Sequence, residues 1–454
     1  MFGRKFAEIS CVAMVILASP SFAAAESLRD SLRNAYEYSG LLVQNRALLR
    51  AADEKVADAV AALRPVISWT SKFAHSYSDA ANGDSLTTRL NANWLLYDFG
   101  RSDLQTEALK ESVLATRQSL VSIEQNVLLR AVQAHMNYRR SVEFVSLRSA
   151  NVELIEQELR AAEDRFDVGE VTRTDVALAE ARLASARASL AGAQGDLAKT
   201  AAEYHAVVGR KPDDLVTPSS LPDLPADVSA AIATARAHHP ELKRVQHEVA
   251  AAELAAKAAQ LAYRPRLEAG VGVSNLDLNN EVSRSLSLTV SGPLYSGGAI
   301  ASASRAAIAQ RDAMRARLHV AGLEAEQTVR NAFVVLEVAR ATGEATDRQI
   351  EAASVAFRGV REEASLGART TLDVLNAEQE LLDARVSRIS TRIDEQIASY
   401  SLLAAMGRLT AKELNLGVKT YDPAEYYNLV KSAPRAKSKQ GAALDRVLRG
   451  LAGN

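Results

Sequence analysis

Residues 101–165 contain neither proline nor glycine. As a single helix they would extend roughly 100 Å. A second run, 299–366, is interrupted only by Gly322, Gly343 and Gly359. A compact globule of 454 residues has no place for elements of that length. They need partners along their whole extent, which predicts a coiled coil or a helical tube. Composition agrees, with 83 alanines and only 5% aromatic residues, because small side chains let long helices approach closely. The 54 basic and 55 acidic residues nearly cancel. That balance argues against a nucleic-acid surface, which needs a net basic face.

The two runs belong to an internal duplication. Residues 165–210 and 363–408 align without a gap at an offset of 198, with 14 identities in 46 positions. Matched pairs include Gly169/Gly367, Thr172/Thr370, Asp175/Asp373, Glu180/Glu378 and Gly209/Gly407. Upstream, Arg64-Pro65 matches Arg264-Pro265 at an offset of 200. Each half reads in one order: a helical stretch (Leu28 to Leu63; Val228 to Tyr263) ended by Arg-Pro, then two alternating segments and the long run. A glycine-centred break and a second helix ending at Gly-Arg close the unit. The proline-rich residues 211–227 link the halves.

Residues 1–25 read as an export signal. Arg4 and Lys5 precede a short apolar stretch from Ile9 to Ala18, and Ser21-Phe22-Ala23-Ala24-Ala25 supplies a small-residue cleavage site before Glu26. The stretch is too short to span ~30 Å of hydrocarbon. Its Cys11 is the sole cysteine, so the expected mature chain has no disulfide or thiol chemistry. No later window is apolar for 18 residues, leaving a secreted, periplasmic or β-barrel protein.

The alternating segments decide among these. Ile67, Trp69, Phe73 and Tyr77 share one parity, with Ser68, Thr70, Lys72 and Ser76 on the other. Leu86, Leu90, Ala92, Trp94 and Leu96 follow a turn at Asp79–Asp84. The second half repeats the pattern with Leu267, Ala269, Val271 and Val273, a turn from Asn275 to Glu281, then Leu286, Leu288 and Val290. Such period-two segments are strands with one apolar and one polar face. Hairpins packed on helices are the plainer reading. The export signal, the strand length and the aromatic flanks Trp69, Tyr77, Trp94, Tyr97 and Tyr295 favour a membrane. Four strands cannot close a barrel, whereas three chains would supply twelve.

No catalytic constellation is present. The seven histidines, His75, His135, His205, His238, His239, His247 and His319, lack the zinc-protease spacing and read as ordinary helix-surface residues. Neither a phosphate-binding loop nor a Gly-x-Ser-x-Gly elbow occurs. We therefore expect no enzyme activity and no cofactor or metal.

The order of elements and two tip motifs resemble the TolC-like outer-membrane efflux and secretion channels across essentially the whole mature chain. Arg165-Phe-Asp-Val-Gly169-Glu-Val-Thr-Arg-Thr174-Asp175-Val176 resembles that family's first helix-turn-helix tip. Leu366-Gly367-Ala-Arg369-Thr-Thr-Leu-Asp373-Val374-Leu-Asn376-Ala377 resembles the second, and Gly292-Pro293-Leu-Tyr-Ser-Gly-Gly298 its strand-to-helix junction. The resemblance implies a mixed α+β membrane protein forming a homotrimer. A twelve-stranded β-barrel in the outer membrane would continue into a long α-helical periplasmic barrel. The expected units are 26–227, with a hairpin at 66–97, and 228–410, with a hairpin at 267–291. Residues 411–454 would form an equatorial segment with a basic tail carrying Lys431, Arg435, Lys437 and Lys439.

The implied function is a passive exit duct of a tripartite efflux pump or type I secretion system. Its partners would be outer-membrane lipids, a periplasmic adaptor and an inner-membrane transporter of the RND or ABC type, with no nucleic acid. Val168, Gly169, Leu366 and Gly367 would dock the adaptor. Asp373 matches the outer of two constriction aspartates in the best-known family member, while Asn376 replaces the inner one. Arg369 matches the arginine that holds the closed tip against Thr174 and Asp175 of a neighbouring helix. Ala364 stands where that member has a tyrosine. First-turn helix preference alone would also explain Asp175 and Asp373. The competing reading is a periplasmic coiled-coil scaffold or adhesin stalk without a channel.

Overall fold

The computed structural model of the chain describes residues 26–77, 83–218, 221–276, 281–435 and 438–452. The expected export signal, Lys437 and the centres of both hairpin turns lie outside the described residues. Helices α1 (Leu28–Tyr38) and α2 (Gly40–Ala62) lead into strands β1 (Val66–Ser76) and β2 (Gly83–Tyr97). Helix α3 (Arg101–Asp167) then runs 67 residues to the first tip, and α4 (Arg173–Val208) returns from it. The second half repeats this with α5 (Val228–His238), α6 (Pro240–Gln260), β3 (Arg266–Leu276), β4 (Glu281–Ser291), α7 (Ala299–Ser365) and α8 (Thr371–Ala405). Helix α7 is also 67 residues long. Helices α9 (Pro423–Val430) and α10 (Lys439–Ala452) close the chain.

The first helical stretch of each half is broken where we expected one helix. Ser39 leaves the helical region with ψ 104 and accepts from Leu42 N, capping α2. His239, 200 residues later, also leaves the helical region, with ψ 121 before Pro240, but makes no side-chain cap bond. The break makes room for the far end of the repeat. A Cβ on Gly407 would lie 2.7 Å from the His238 carbonyl oxygen, and one on Gly209 2.5 Å from the Tyr38 ring. Both glycines also hold positive φ, 79° and 81°, so no other residue fits easily.

The four strands form one antiparallel sheet in the order β1-β2-β3-β4. Its register puts Trp69 opposite Leu90, Leu90 opposite Val273, and Val271 opposite Leu286. The expected apolar parities therefore merge into one continuous face across all four strands. Among the described residues that face is left open: Trp69 is 73% exposed and Leu286 84%. The strands run further into the turns than expected, with Asp84 in β2 opposite His75 and Asn275 in β3 opposite Val282.

The main core lies where α1, α2, α3 and the ends of α4 and α8 meet, around Leu32, Leu42, Leu128, Met136, Tyr204, Leu402 and Leu409. The linker is pinned there by a parallel bridge, Glu26 N to Asp214 O and Val216 N to Glu26 O. The C-terminal segment packs on α2, with Tyr426 and Val430 buried against Ala57. Arg64 of the first Arg-Pro donates to Ala433 O at 2.8 Å. Nearer the tips a separate seam of Val152, Ile155, Leu183 and Ala186 zips α3 to α4.

Three histidines depart from the helix-surface expectation. His75 lies in β1, and His239 is the half-buried cap before α6. His135 is fully buried. Its Nε2 lies 3.0 Å from Val216 O and its Nδ1 2.8 Å from Ser31 Oγ, which in turn lies 2.8 Å from Tyr204 Oη. A carbonyl only accepts, so Nε2 carries the proton and Nδ1 accepts from Ser31. Burial depresses the imidazole pKa to about 4, keeping the ring neutral.

Candidate channel gate

Both tips are built by the same local rules. Helix α3 stops at Val168, after which Gly169 takes φ 81° and the Glu170 amide donates back to Arg165 O at 2.9 Å. Helix α7 stops at Leu366, Gly367 takes φ 74°, and the Ala368 amide donates to Glu363 O at 2.9 Å. This closure satisfies helix-end carbonyls and demands a left-handed residue, which glycine adopts without steric cost. The returning helices are capped by Thr172 and Thr370. Each forms a reciprocal box with the aspartate three residues on.

Those boxes fix the state of the two expected gate carboxylates. Hydrogen bonds from the Thr172 hydroxyl and amide hold the Asp175 pKa below the usual carboxylate value. The Thr370 amide and hydroxyl do the same for Asp373, with a smaller contribution from Arg369. Both aspartates are therefore ionised and pre-oriented. Within the chain, Arg369 Nε donates to Glu363 Oε2 at 2.8 Å, whereas Asp175 is engaged with Thr172. Thr174 is exposed in the first turn of α4. Asn376 accepts from Arg182 Nη2 at 3.0 Å, tying α8 to α4. Val168 and Leu366, at the outermost turns, are 71% and 84% exposed. Ala364 is buried.

A second polar group lies just above the tips, which sequence reasoning missed. Glu378 of α8 is only 4% exposed, and its Oε1 has no hydrogen-bond partner. Glu158 of α3 is paired with Arg361 of α7 at 3.2 Å. The signal was available: Thr371, Val374, Leu375, Glu378, Leu381 and Leu382 recur at three- and four-residue spacing, and all are buried. Glu378 occupies an apolar stripe.

Comparison with known proteins places this architecture. The family model described as "Outer membrane efflux protein" matches the chain twice, over residues 32–210 and 231–408. The chain belongs to that family. It is 35% identical over 416 residues to the outer membrane efflux protein BepC of Brucella suis biovar 1 (strain 1330), covering 90% of this chain and 91% of that one. It is 23% identical over 417 residues to the outer membrane protein TolC of Escherichia coli (strain K12), covering 87% and 85%. Its fold matches the crystal structure of the Campylobacter jejuni CmeC outer membrane channel with a TM-score of 0.76 at 14% identity, covering 90% of each chain. As an outer membrane efflux protein, the chain is a channel component of efflux or secretion systems and not an enzyme. Its sheet and long helices are consistent with one protomer of such a channel. The channel-free stalk reading is set aside. Among the described residues no helix is long and apolar enough to cross a membrane.

Proposed function

We propose that three copies of the chain close a twelve-stranded barrel in the outer membrane and extend a helical tunnel into the periplasm. The observation that carries this reading is the sheet itself. It has one continuous apolar face and two outer strands, β1 and β4, that pair on one side only within the chain. Unpaired strand edges are not tolerated in hydrocarbon, so further strands must supply the missing bonds. In this assembly 26–227 and 228–410 are the two repeats of each wall segment, and 411–454 girdles them. Native mass measurement of the mature particle should give three chains, and a stable monomer with inserted strands overturns the assembly.

The narrow end lies at the tips. Three copies of Asp373, each held ionised by its cap, form the entrance ring, while Asn376 adds no charge. Arg369 is the latch toward Thr174 and Asp175 of a neighbouring helix. Val168, Gly169, Leu366 and Gly367 dock the periplasmic adaptor, which joins the duct to an inner-membrane transporter of the RND or ABC type. Exposed apolar side chains at both outermost turns support this placement, because single-chain packing gives them no cover. The duct conducts passively, and the transporter selects the cargo.

A further inference from the structure

The buried Glu378 has no part in capping, docking or the entrance ring, and its surroundings suit a switch. It lines a cavity of about 410 Å³ between α3, α7 and α8 with Asn151, Leu154, Phe357 and Leu382. Four elements place charge around it. Glu158 of α3 opposes its ionisation, while Arg182 of α4 and Arg361 of α7 favour it. Arg358 of α7 and Arg385 on its own helix line the same cavity. The two arginines that favour its ionisation are engaged elsewhere: Arg361 with Glu158 and Arg182 with Asn376. The repeat-matched Glu180 of α4 is exposed, so the burial belongs to one half only.

We propose that Glu378 is a proton-operated wedge. Uncharged, it lets α8 lie against α3; ionised, it is repelled by Glu158 and expelled from its apolar stripe, loosening the helices immediately above the tips. Burial foremost, and Glu158 next, raise its pKa to about 7, so the change falls near neutral pH. The folded state then binds more protons than the unfolded one between the ordinary value of 4.5 and about 7. Tight packing is therefore complete in acid and is lost as pH rises through about 7. The link from this loosening to conduction rests on the proposed opening at the tips, whereas the packing change does not.

Amide hydrogen exchange of the full mature protein, followed from about pH 5 to about pH 8.5 and corrected against an unfolded sample, reads the packing directly. Protection across residues 374–386 should fall with a midpoint near 7 in the natural chain. Glu378→Gln, an uncharged mimic of the protonated form, should stay protected throughout. Glu158→Gln, which removes the repulsion, should move the midpoint to lower pH. A flat profile in the natural chain, or the same fall in Glu378→Gln, overturns the wedge. Single-channel conductance over the same range separates the two readings. A switch in exchange with no change in conductance leaves the wedge standing and overturns the tip as the gate.

Discussion

Arg369 reaches back six residues along its own tip and bonds Glu363, Nε to Oε2 at 2.8 Å. Both side chains are about half exposed, so this pair is weak and readily exchanged. It nevertheless competes for the guanidinium expected to latch a neighbouring helix. Arg369→Ala should raise single-channel conductance in planar bilayers severalfold. Glu363→Gln should do the reverse, because it frees Arg369 for the latch. Equal conductance in both variants would place the closing contact elsewhere, in apolar packing near Leu366 and Leu372.

The carboxylate side of that latch needs a different substitution from the obvious one. Asp175 also caps α4 through Thr172, so Asp175→Ala loses a helix cap, worth about 1 kcal/mol, along with any latch. Asp175→Asn keeps an acceptor for the cap and removes the charge. Asp175→Asn should open the channel nearly as far as Arg369→Ala, and the double variant should add little. Fully additive conductance changes show that the two residues act independently.

The docking assignment is tested at Val168 and Leu366. Their side chains stand clear of the chain's own packing, so Val168→Asp and Leu366→Asp should leave folding and trimer level unchanged while export falls to background. Replacing Gly169 or Gly367 by alanine differs in kind. No atom lies within 4 Å of an added Cβ at either position. The cost is the positive φ alone, about 1 kcal/mol, and the turn shifts. Normal export from both aspartate variants at normal protein level removes the tips as the docking site.

What the sequence showed and what it hid divide along a physical line. Periodicity, breakers and caps are local, so the 67-residue helices, the strand parities and the tip boxes were legible from Gly169, Thr172, Gly367 and Thr370. Features set by a distant partner were not. The break at Ser39 exists because Tyr38 packs on Gly209, far along the chain. His135 sits in a run without punctuation, and the group that buries it, Val216 O, comes 81 residues later. Glu363 lies three residues before the second tip motif, and its pairing with Arg369 required the turn's geometry to be seen. Glu378 was legible in principle as a charge within an apolar stripe.

His135 gives the chain an acid sensitivity opposite in sign to that of its buried carboxyls. The ring is neutral and fully bonded between Ser31 and Val216, and its pKa drops from 6.5 to about 4. Between those values the unfolded chain binds the extra proton, so stability falls as pH drops through that window. The full loss is about 3 kcal/mol per chain by pH 4. Asp53 and Glu378, raised by burial to about 6 and about 7, shift stability the other way. The test is therefore a difference between variants. His135→Asn offers an amide oxygen to Ser31 and an amide NH2 to Val216 without titrating. Thermal unfolding should show it less stable than the natural chain near neutral pH, by about 1–2 kcal/mol for imperfect packing and hydrogen bonds. The gap should close, and then reverse, as pH falls toward 4. A gap that stays constant across the window would mean that protonation of His135 is not what destabilises the main core in acid.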